Sequence, residues 1–218
     1  WLLGAGQRLL QVLPTQELSE GETSPYGALS AFAIDPIYVD VERVPDLDAQ
    51  AIATCLGAEG HAELTRVRGR AAVDYRAVRA LKRRALASAF GRFRERGVVA
   101  GRDTPRVQDF FAFVAREGAW LRDHALYVAL RSAHNGGGWK TWPIEERNRH
   151  PRVLAFSETP HDDGSIGTRV LEQMYLQWLA HTQWGEARAE LKALGVSLMG
   201  DMPFIVGSES ADVWARQH

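Results

Sequence analysis

The chain has 218 residues, 45% of them hydrophobic and 24% charged, and 26 Lys plus Arg against 27 Asp plus Glu leave a net charge of -1. That length and composition support an ordinary packed core, and the near-neutral balance gives no global electrostatic reason for a nucleic-acid or anionic-membrane partner. The single cysteine, Cys55, excludes an internal disulfide and fits a reducing, cytoplasmic setting; no run reaches the ~18 apolar residues of a membrane span, and Trp1 to Gly6 lack the basic start and apolar segment of a secretion signal.

Leu9-Leu10-Gln11-Val12-Leu13 is a short apolar run closed by Pro14 and predicts a buried strand. Thr15 to Pro25 is polar and reads as a loop. Ile37-Tyr38-Val39-Asp40-Val41, after Pro36, is rich in β-branched and aromatic residues and predicts a second strand. Asp74 is a suitable N-cap for a helix to about Arg96, with Val78, Leu81, Ala85 and Ala89 as its apolar stripe and Gly97 as its end. Thr104-Pro105 opens another helix, whose apolar face is Phe110, Phe113 and Val114. Trp120, Leu121, Val128 and Ala129 predict a further helix, which Asn135-Gly136-Gly137-Gly138 must end. Trp142-Pro143-Ile144-Glu145-Glu146 reads as a short helix with acids in its first turn, as the helix dipole prefers.

His161-Asp162-Asp163-Gly164-Ser165 is a turn. A long helix follows from about Thr168 to Leu194, striped by Leu171, Met174, Tyr175, Trp178 and Leu179, with Gly195 just past its end. Val196-Ser197-Leu198-Met199 is the third predicted strand, closed by Gly200-Asp201-Met202-Pro203. Ala211 to His218 reads as the opening of a helix, and both ends read as interruptions of a longer sequence. Helix, glycine, strand at Leu194 to Met199 is the pattern of a parallel α/β unit. The helical block before it is too large for an ordinary crossover and reads as an insertion.

Several residues could carry chemistry. Asp201 sits in a turn just past a strand, where a parallel barrel places its active site. A carboxylate there holds sugar hydroxyls or acts as acid or base; equally, a turn aspartate caps the next helix. Ser24-Pro25-Tyr26-Gly27 offers an aromatic on a proline-stiffened loop, either a platform for a pyranose face or a half-buried turn tyrosine. Trp139 and Trp142 could stack on a glucan or anchor a loop, whereas Trp178 and Trp184 on the long helix read as packing. Arg76, Arg79, Arg83 and Arg94 fall near one helix side, and scarce interleaved aromatics favour a solvated face over phosphate contact. The seven histidines show no zinc-protease spacing, and His161-Asp162-Asp163 could bind a cation or simply form a polar turn. No Gly-x-Ser-x-Gly elbow is present, and Gly4 and Gly6 precede a strand where a phosphate fingerprint would follow one.

Taken in order, these motifs resemble the amylomaltase, or 4-alpha-glucanotransferase, family along essentially the whole chain. Gly4-Ala5-Gly6-Gln7-Arg8 through Pro14 is similar to its first barrel strand. Ser24-Pro25-Tyr26, Ser30-Ala31-Phe32-Ala33 and Asp35-Pro36 resemble its donor-site loop. Trp120 to Leu126 and Trp139 to Pro143 are similar to its helical insertion, and Gly200-Asp201-Met202-Pro203 with Ser210-Ala211-Asp212-Val213-Trp214 is the most specific match. Gly27, Ile34-Asp35 and Phe204-Ile205 depart from the family pattern.

The resemblance implies an α/β fold, a (β/α)8 TIM barrel. The chain would supply only its N-terminal strands, with a large helical insertion between strands two and three. The implied organisation is strands one and two in 1–44, the insertion in 45–165, and a barrel helix with strand three in 166–218. The implied activity is transfer of α-1,4-glucan segments between maltooligosaccharides, or to glucose as acceptor, with retention, in glycogen and maltose metabolism. No cofactor and no metal are implied. Tyr26 and Asp201, with Ser24 and Ser30, are the implied substrate-binding residues. The nucleophile and acid/base are implied beyond His218, with none among these residues. The rival reading is a non-catalytic α-glucan-binding module.

Overall fold

The computed structural model describes residues 1–217 except 20, 23, 99–100, 102, 158–164 and 202–205. The expected turn at 161–164 and the residues Met202 to Ile205 lie outside the described residues. The described residues hold helices α1 (Ala49–Arg68), α2 (Tyr75–Phe93), α3 (Pro105–Ala133), α4 (Ile144–Arg147), α5 (Pro151–Leu154), α6 (Ile166–Ala193) and α7 (Ala211–Ala215), and strands β1 (Leu9–Gln11) and β2 (Ser197–Met199). The chain divides into two compact units, residues 1–35 with 114–218, and residues 36–113.

In the first unit β1 and β2 pair in parallel, Leu9 opposite Ser197, Leu10 opposite Leu198 and Gln11 opposite Met199. The amide of Ser197 donates to the Arg8 carbonyl at 2.8 Å and that of Val12 to the Met199 carbonyl at 3.0 Å, which extends the ladder at both ends. α6 leads into β2 as its stripe predicts. It starts where Ser165 Oγ accepts from Thr168 N, and it buries Val170, Leu171, Met174, Tyr175 and Trp178. It ends with Gly195 at φ 70, where Val196 N donates to Leu191 O at 2.9 Å and Gly195 N to Lys192 O at 3.0 Å. This paired closure satisfies the last helical carbonyls, and the left-handed backbone that glycine tolerates turns the chain straight into the strand.

The part of α3 in this unit buries Leu121, Ala125, Leu126, Tyr127, Ala129 and Leu130, and it meets α6 where the rings of Trp120 and His181 lie 5.4 Å apart. A second packing centre forms around Trp214 of α7, which is fully buried. Its ring lies 5.8 Å from that of Tyr127 and 6.0 Å from that of Trp142, and its indole N–H donates to the Glu146 carbonyl at 3.0 Å. Burying an indole with its N–H satisfied captures its large apolar area without a desolvation penalty.

In the second unit α1 and α2 pack together. Asp48 and Asp74 cap them, accepting from Ala51 N at 2.7 Å and Ala77 N at 3.1 Å. α1 breaks at Gly57, whose φ of 61 and ψ of -173 are not helical. The Arg84 guanidinium of α2 takes up the carbonyls beside the break, Cys55 O at 3.0 Å and Leu56 O at 2.8 Å. Leu81, Ala85, Leu86, Ala89, Phe90 and Phe93 form the buried face of α2, and Phe93 meets Phe110 edge-on at 5.3 Å.

Three expectations need correction. Residues 37–41 do not form a strand: Pro36–Tyr38 and Val41–Arg43 are single 3-10 turns. The ammonium of Lys82 donates to the Ile37 and Val39 carbonyls at 2.5 and 2.7 Å, and Asp40 caps the second turn through Glu42 N at 3.0 Å, so these backbone groups are occupied where a sheet would need them. The helices expected from Pro105 and around Trp120 are one helix, α3. Gly97 does not end the helix but lies within a wide turn, Arg94–Val98, added after α2. The reason for a glycine there is close approach, since a Cβ at Gly97 would lie 2.6 Å from Val107 Cγ2.

Candidate functional site

Parallel strands carry their C-terminal ends at the same side, so the chain leaving β1 and the chain leaving β2 emerge together. After β1, residues 15–35 fold back on themselves as an irregular hairpin. Gln16 bridges Ile34 and Leu18 bridges Ala28, both antiparallel. Glu17 N donates to Ala33 O at 2.9 Å, Leu29 N to Glu17 O at 2.8 Å and Asp35 N to Thr15 O at 2.9 Å. At its tip Gly27 N reaches back to Ser24 O at 3.1 Å, a tight turn with Pro25 in its second position. Ser24 Oγ accepts from Tyr26 N at 3.4 Å, and Ser24 N donates to Glu22 Oε1 at 2.8 Å. The tyrosine is thus held on a stiffened corner.

After β2 the chain passes Gly200 to Asp201. The phenol of Tyr26 donates to Asp201 Oδ2 at 2.7 Å. The residues that sequence reasoning placed at two strand ends are therefore in direct contact, and both are part-exposed. The hydrogen bond to the Asp201 carboxylate, aided by partial burial and the negative charge, holds the Tyr26 phenol above its ordinary value of 10.0. At neutral pH the pair is a protonated phenol and an acceptor with spare lone pairs, a combination that can donate to and accept from the hydroxyls of a sugar.

The hairpin is fixed from behind by groups far away in sequence. Glu17 Oε2 lies 3.0 Å from His124 Nε2 on α3 and accepts from Gln177 Nε2 on α6 at 3.3 Å. Gln177, fully buried, also accepts from Ile34 N and donates to Ile34 O, both at 2.9 Å. The side chains of His124 and Glu17 are 1% and 13% exposed, so this network supplies protein partners for His124 Nε2, Gln177 and the Ile34 backbone, while His124 Nδ1 is left without one among the described residues. On the other flank Asp212 of α7 accepts from Ala31 N at 2.7 Å and from Ser30 Oγ at 3.3 Å. Arg131 donates to Ser19 Oγ at 2.9 Å.

Of the other sequence candidates, Ser24 alone stands at this site. Ser30 is 1% exposed and its hydroxyl is turned to Asp212, so it braces the hairpin and does not face solvent. Ser24 is exposed beside Tyr26. Trp139 and Trp142 are buried at 8% and 3% exposure, and their indoles donate to Ser208 O and Gly137 O at 2.8 and 3.0 Å; they anchor loops. Trp178 is buried and Trp184 half-buried. Much of the basic stretch has structural duties: Arg66 and Arg70 pair with Asp74, and Arg92 with Asp48. Among the described residues no group of His, Cys, Asp or Glu could hold a metal ion, and no helix is long and apolar enough to cross a membrane.

Sequence reasoning missed the roles of Glu17, His124, Gln177 and Asp212. His124 and Gln177 were visible in principle, since each interrupts an apolar helix stripe and so demands a buried partner. Glu17 lies in a polar run with nothing to mark it.

The architecture is a helix-rich α/β protein with one parallel strand pair among its described residues, and its fold is that of the amylomaltases. An amylomaltase from Streptococcus agalactiae in complex with acarbose superposes with a TM-score of 0.75 at 20% identity, covering 99% of this chain and 40% of that one. An amylomaltase from Corynebacterium glutamicum does so at 0.72 and 23%, covering 100% and 28%. In sequence, the 4-alpha-glucanotransferase family model matches residues 1–218. The 4-alpha-glucanotransferase of Thermus thermophilus is 36% identical over 219 residues, and that of a Synechocystis species 32% over 223, each across 99% of this chain. The chain belongs to the 4-alpha-glucanotransferase family. It spans about 39% of the length of these curated relatives.

Proposed function

We propose that this chain is the donor-sugar-holding part of a 4-alpha-glucanotransferase, an enzyme that moves α-1,4-glucan segments between maltooligosaccharides, or onto glucose, with retention. The observation that carries the reading is the 2.7 Å contact of Tyr26 with Asp201 beyond the ends of two parallel strands. In it the tyrosine ring offers a face to the C–H side of a pyranose while phenol, carboxylate and the Ser24 hydroxyl meet its hydroxyls. Ser30 contributes by bracing the loop.

On this reading the strand pair is the start of a (β/α)8 barrel, with 1–44 and 166–218 supplying barrel elements and 45–165 inserted between them. Leu9 and Met199 on the pair are 53% and 42% exposed, which supports further strands flanking it in the whole enzyme. Retaining chemistry needs two carboxyl groups about 5–5.5 Å apart. Asp201, hydrogen-bonded to a phenol, suits sugar binding, and the nucleophile and acid/base are assigned to the family's later segments. The setting is cytoplasmic glycogen and maltose metabolism, for which the lone cysteine, Cys55, is the support in this chain.

A transfer assay on maltotriose tests this. The enzyme that carries this chain releases glucose and builds longer glucans, and residues 1–218 alone release none. Glucose from the pure chain would contradict the placement of the catalytic carboxylates. Glucan binding without transfer by the whole protein would favour a non-catalytic binding module.

A further inference from the structure

We propose that Asp212 is a positioning residue of this site, a clamp that fixes the Tyr26 hairpin to α7. The proposal rests on the donor-site reading for its effect on sugar and on geometry alone for the clamp.

The Tyr26–Asp201 contact joins the hairpin to the chain just past β2. The hairpin is held a second time, by α7. Asp212 spends both carboxylate oxygens on the hairpin, Oδ2 on Ala31 N at 2.7 Å and Oδ1 on Ser30 Oγ at 3.3 Å. The adjacent amide, Ala211 N, donates to Leu29 O at 2.8 Å. Three consecutive hairpin residues are therefore held by two consecutive residues of α7.

The clamp is itself anchored. Ser30, Ser210 and Ala211 are each 1% exposed, and Trp214 is fully buried. Ser210 Oγ accepts from Val213 N at 3.2 Å and so closes the first turn of α7. The Trp214 indole is tied to Glu146 O at 3.0 Å. The loop before α7 is tied as well, through the Trp139 indole on Ser208 O and the salt bridge of Lys140 with Glu209 at 3.1 Å. A bond from a charged acceptor to a backbone amide is among the stronger ones a protein makes. Removing it frees the hairpin just beyond the turn that carries Tyr26, while α7 stays in place.

Asp212 touches the hairpin and not the Tyr26–Asp201 pair, so its effect must pass through that pair. The ionisation of Tyr26 reports this directly. The difference titration between wild type and Tyr26→Phe isolates that phenol, which Asp201 holds high. In the whole enzyme, Asp212→Ala is expected to bring the Tyr26 titration down toward the ordinary tyrosine value and to raise the KM for maltotriose about fivefold, with a smaller change in kcat. In a Tyr26→Phe background the same substitution should add less than about twofold. Ser30→Ala, which removes one of the two bonds and keeps the fold's volume nearly intact, should give a smaller shift in the same direction. An unchanged Tyr26 titration in both variants, or an effect on KM that multiplies fully with that of Tyr26→Phe, would overturn the clamp. If the titration shifts but KM is unmoved in Tyr26→Phe itself, the clamp stands and the donor-site reading falls.

Discussion

The phenol of Tyr26 donates to Asp201 across 175 residues of chain at 2.7 Å. The contact exists because β1 and β2 are parallel neighbours, so residues that follow each strand are delivered to one place. Its energy is linked to pH. A phenol whose ionisation is raised in the folded state contributes stability that is fully present below the ordinary value of 10.0 and is lost as pH rises through the raised value. Asp201→Asn removes the charged acceptor, so the Tyr26 titration should fall toward 10.0, read as the phenolate absorbance difference against Tyr26→Phe.

Glu17 is the part-buried acceptor shared by His124 and Gln177, which are themselves buried. Glu17→Ala leaves these two buried groups without it, at a cost of roughly 1–3 kcal/mol. Urea unfolding should show that loss as a lower midpoint with an unchanged slope. Glu17→Gln keeps an acceptor and should lose less.

His181 faces Glu117, Arg116, His124 and the Phe32 backbone, and burial holds its ionisation below the ordinary 6.5. A histidine kept neutral in the fold binds its proton more readily when unfolded. Stability from this source is complete above about pH 6.5 and falls as pH drops toward the depressed folded value. The thermal midpoint should therefore decline on mild acidification, before the carboxylates titrate, and His181→Gln should flatten that decline.

Two packing sites should be costly to alter. Trp214→Ala empties the centre of the Tyr127–Trp142 cluster and removes one of the donors to the Glu146 carbonyl, for about 3–5 kcal/mol. Gly97→Ala forces a methyl to 2.6 Å from Val107 Cγ2, for about 1–3 kcal/mol of overpacking. Denaturant midpoints check both.

Much of this was legible in the residues because it depends on local rules. The stripe and closing glycine of α6, the Thr104-Pro105 start of α3 and the cap at Asp74 all read correctly or within a few residues, since each is set by neighbours in sequence. Residues 37–41 misled because their β-branched content describes half-buried extended backbone in general, while Lys82, more than a helix away, decided what their carbonyls bind. α1 was missed because Gly57 breaks its stripe. In the site, Tyr26 and Asp201 stood out by strand-end position. Glu17 and Asp212 did not, because their partners lie on other elements and no spacing marks a long-range bond.

The most direct measurement is the maltotriose transfer rate of the whole enzyme carrying Asp201→Asn. If Asp201 holds the donor sugar beside Tyr26, kcat/KM should fall about 10- to 100-fold with the fold intact. A folded variant that transfers at the wild-type rate would contradict the assignment of this pair to sugar binding.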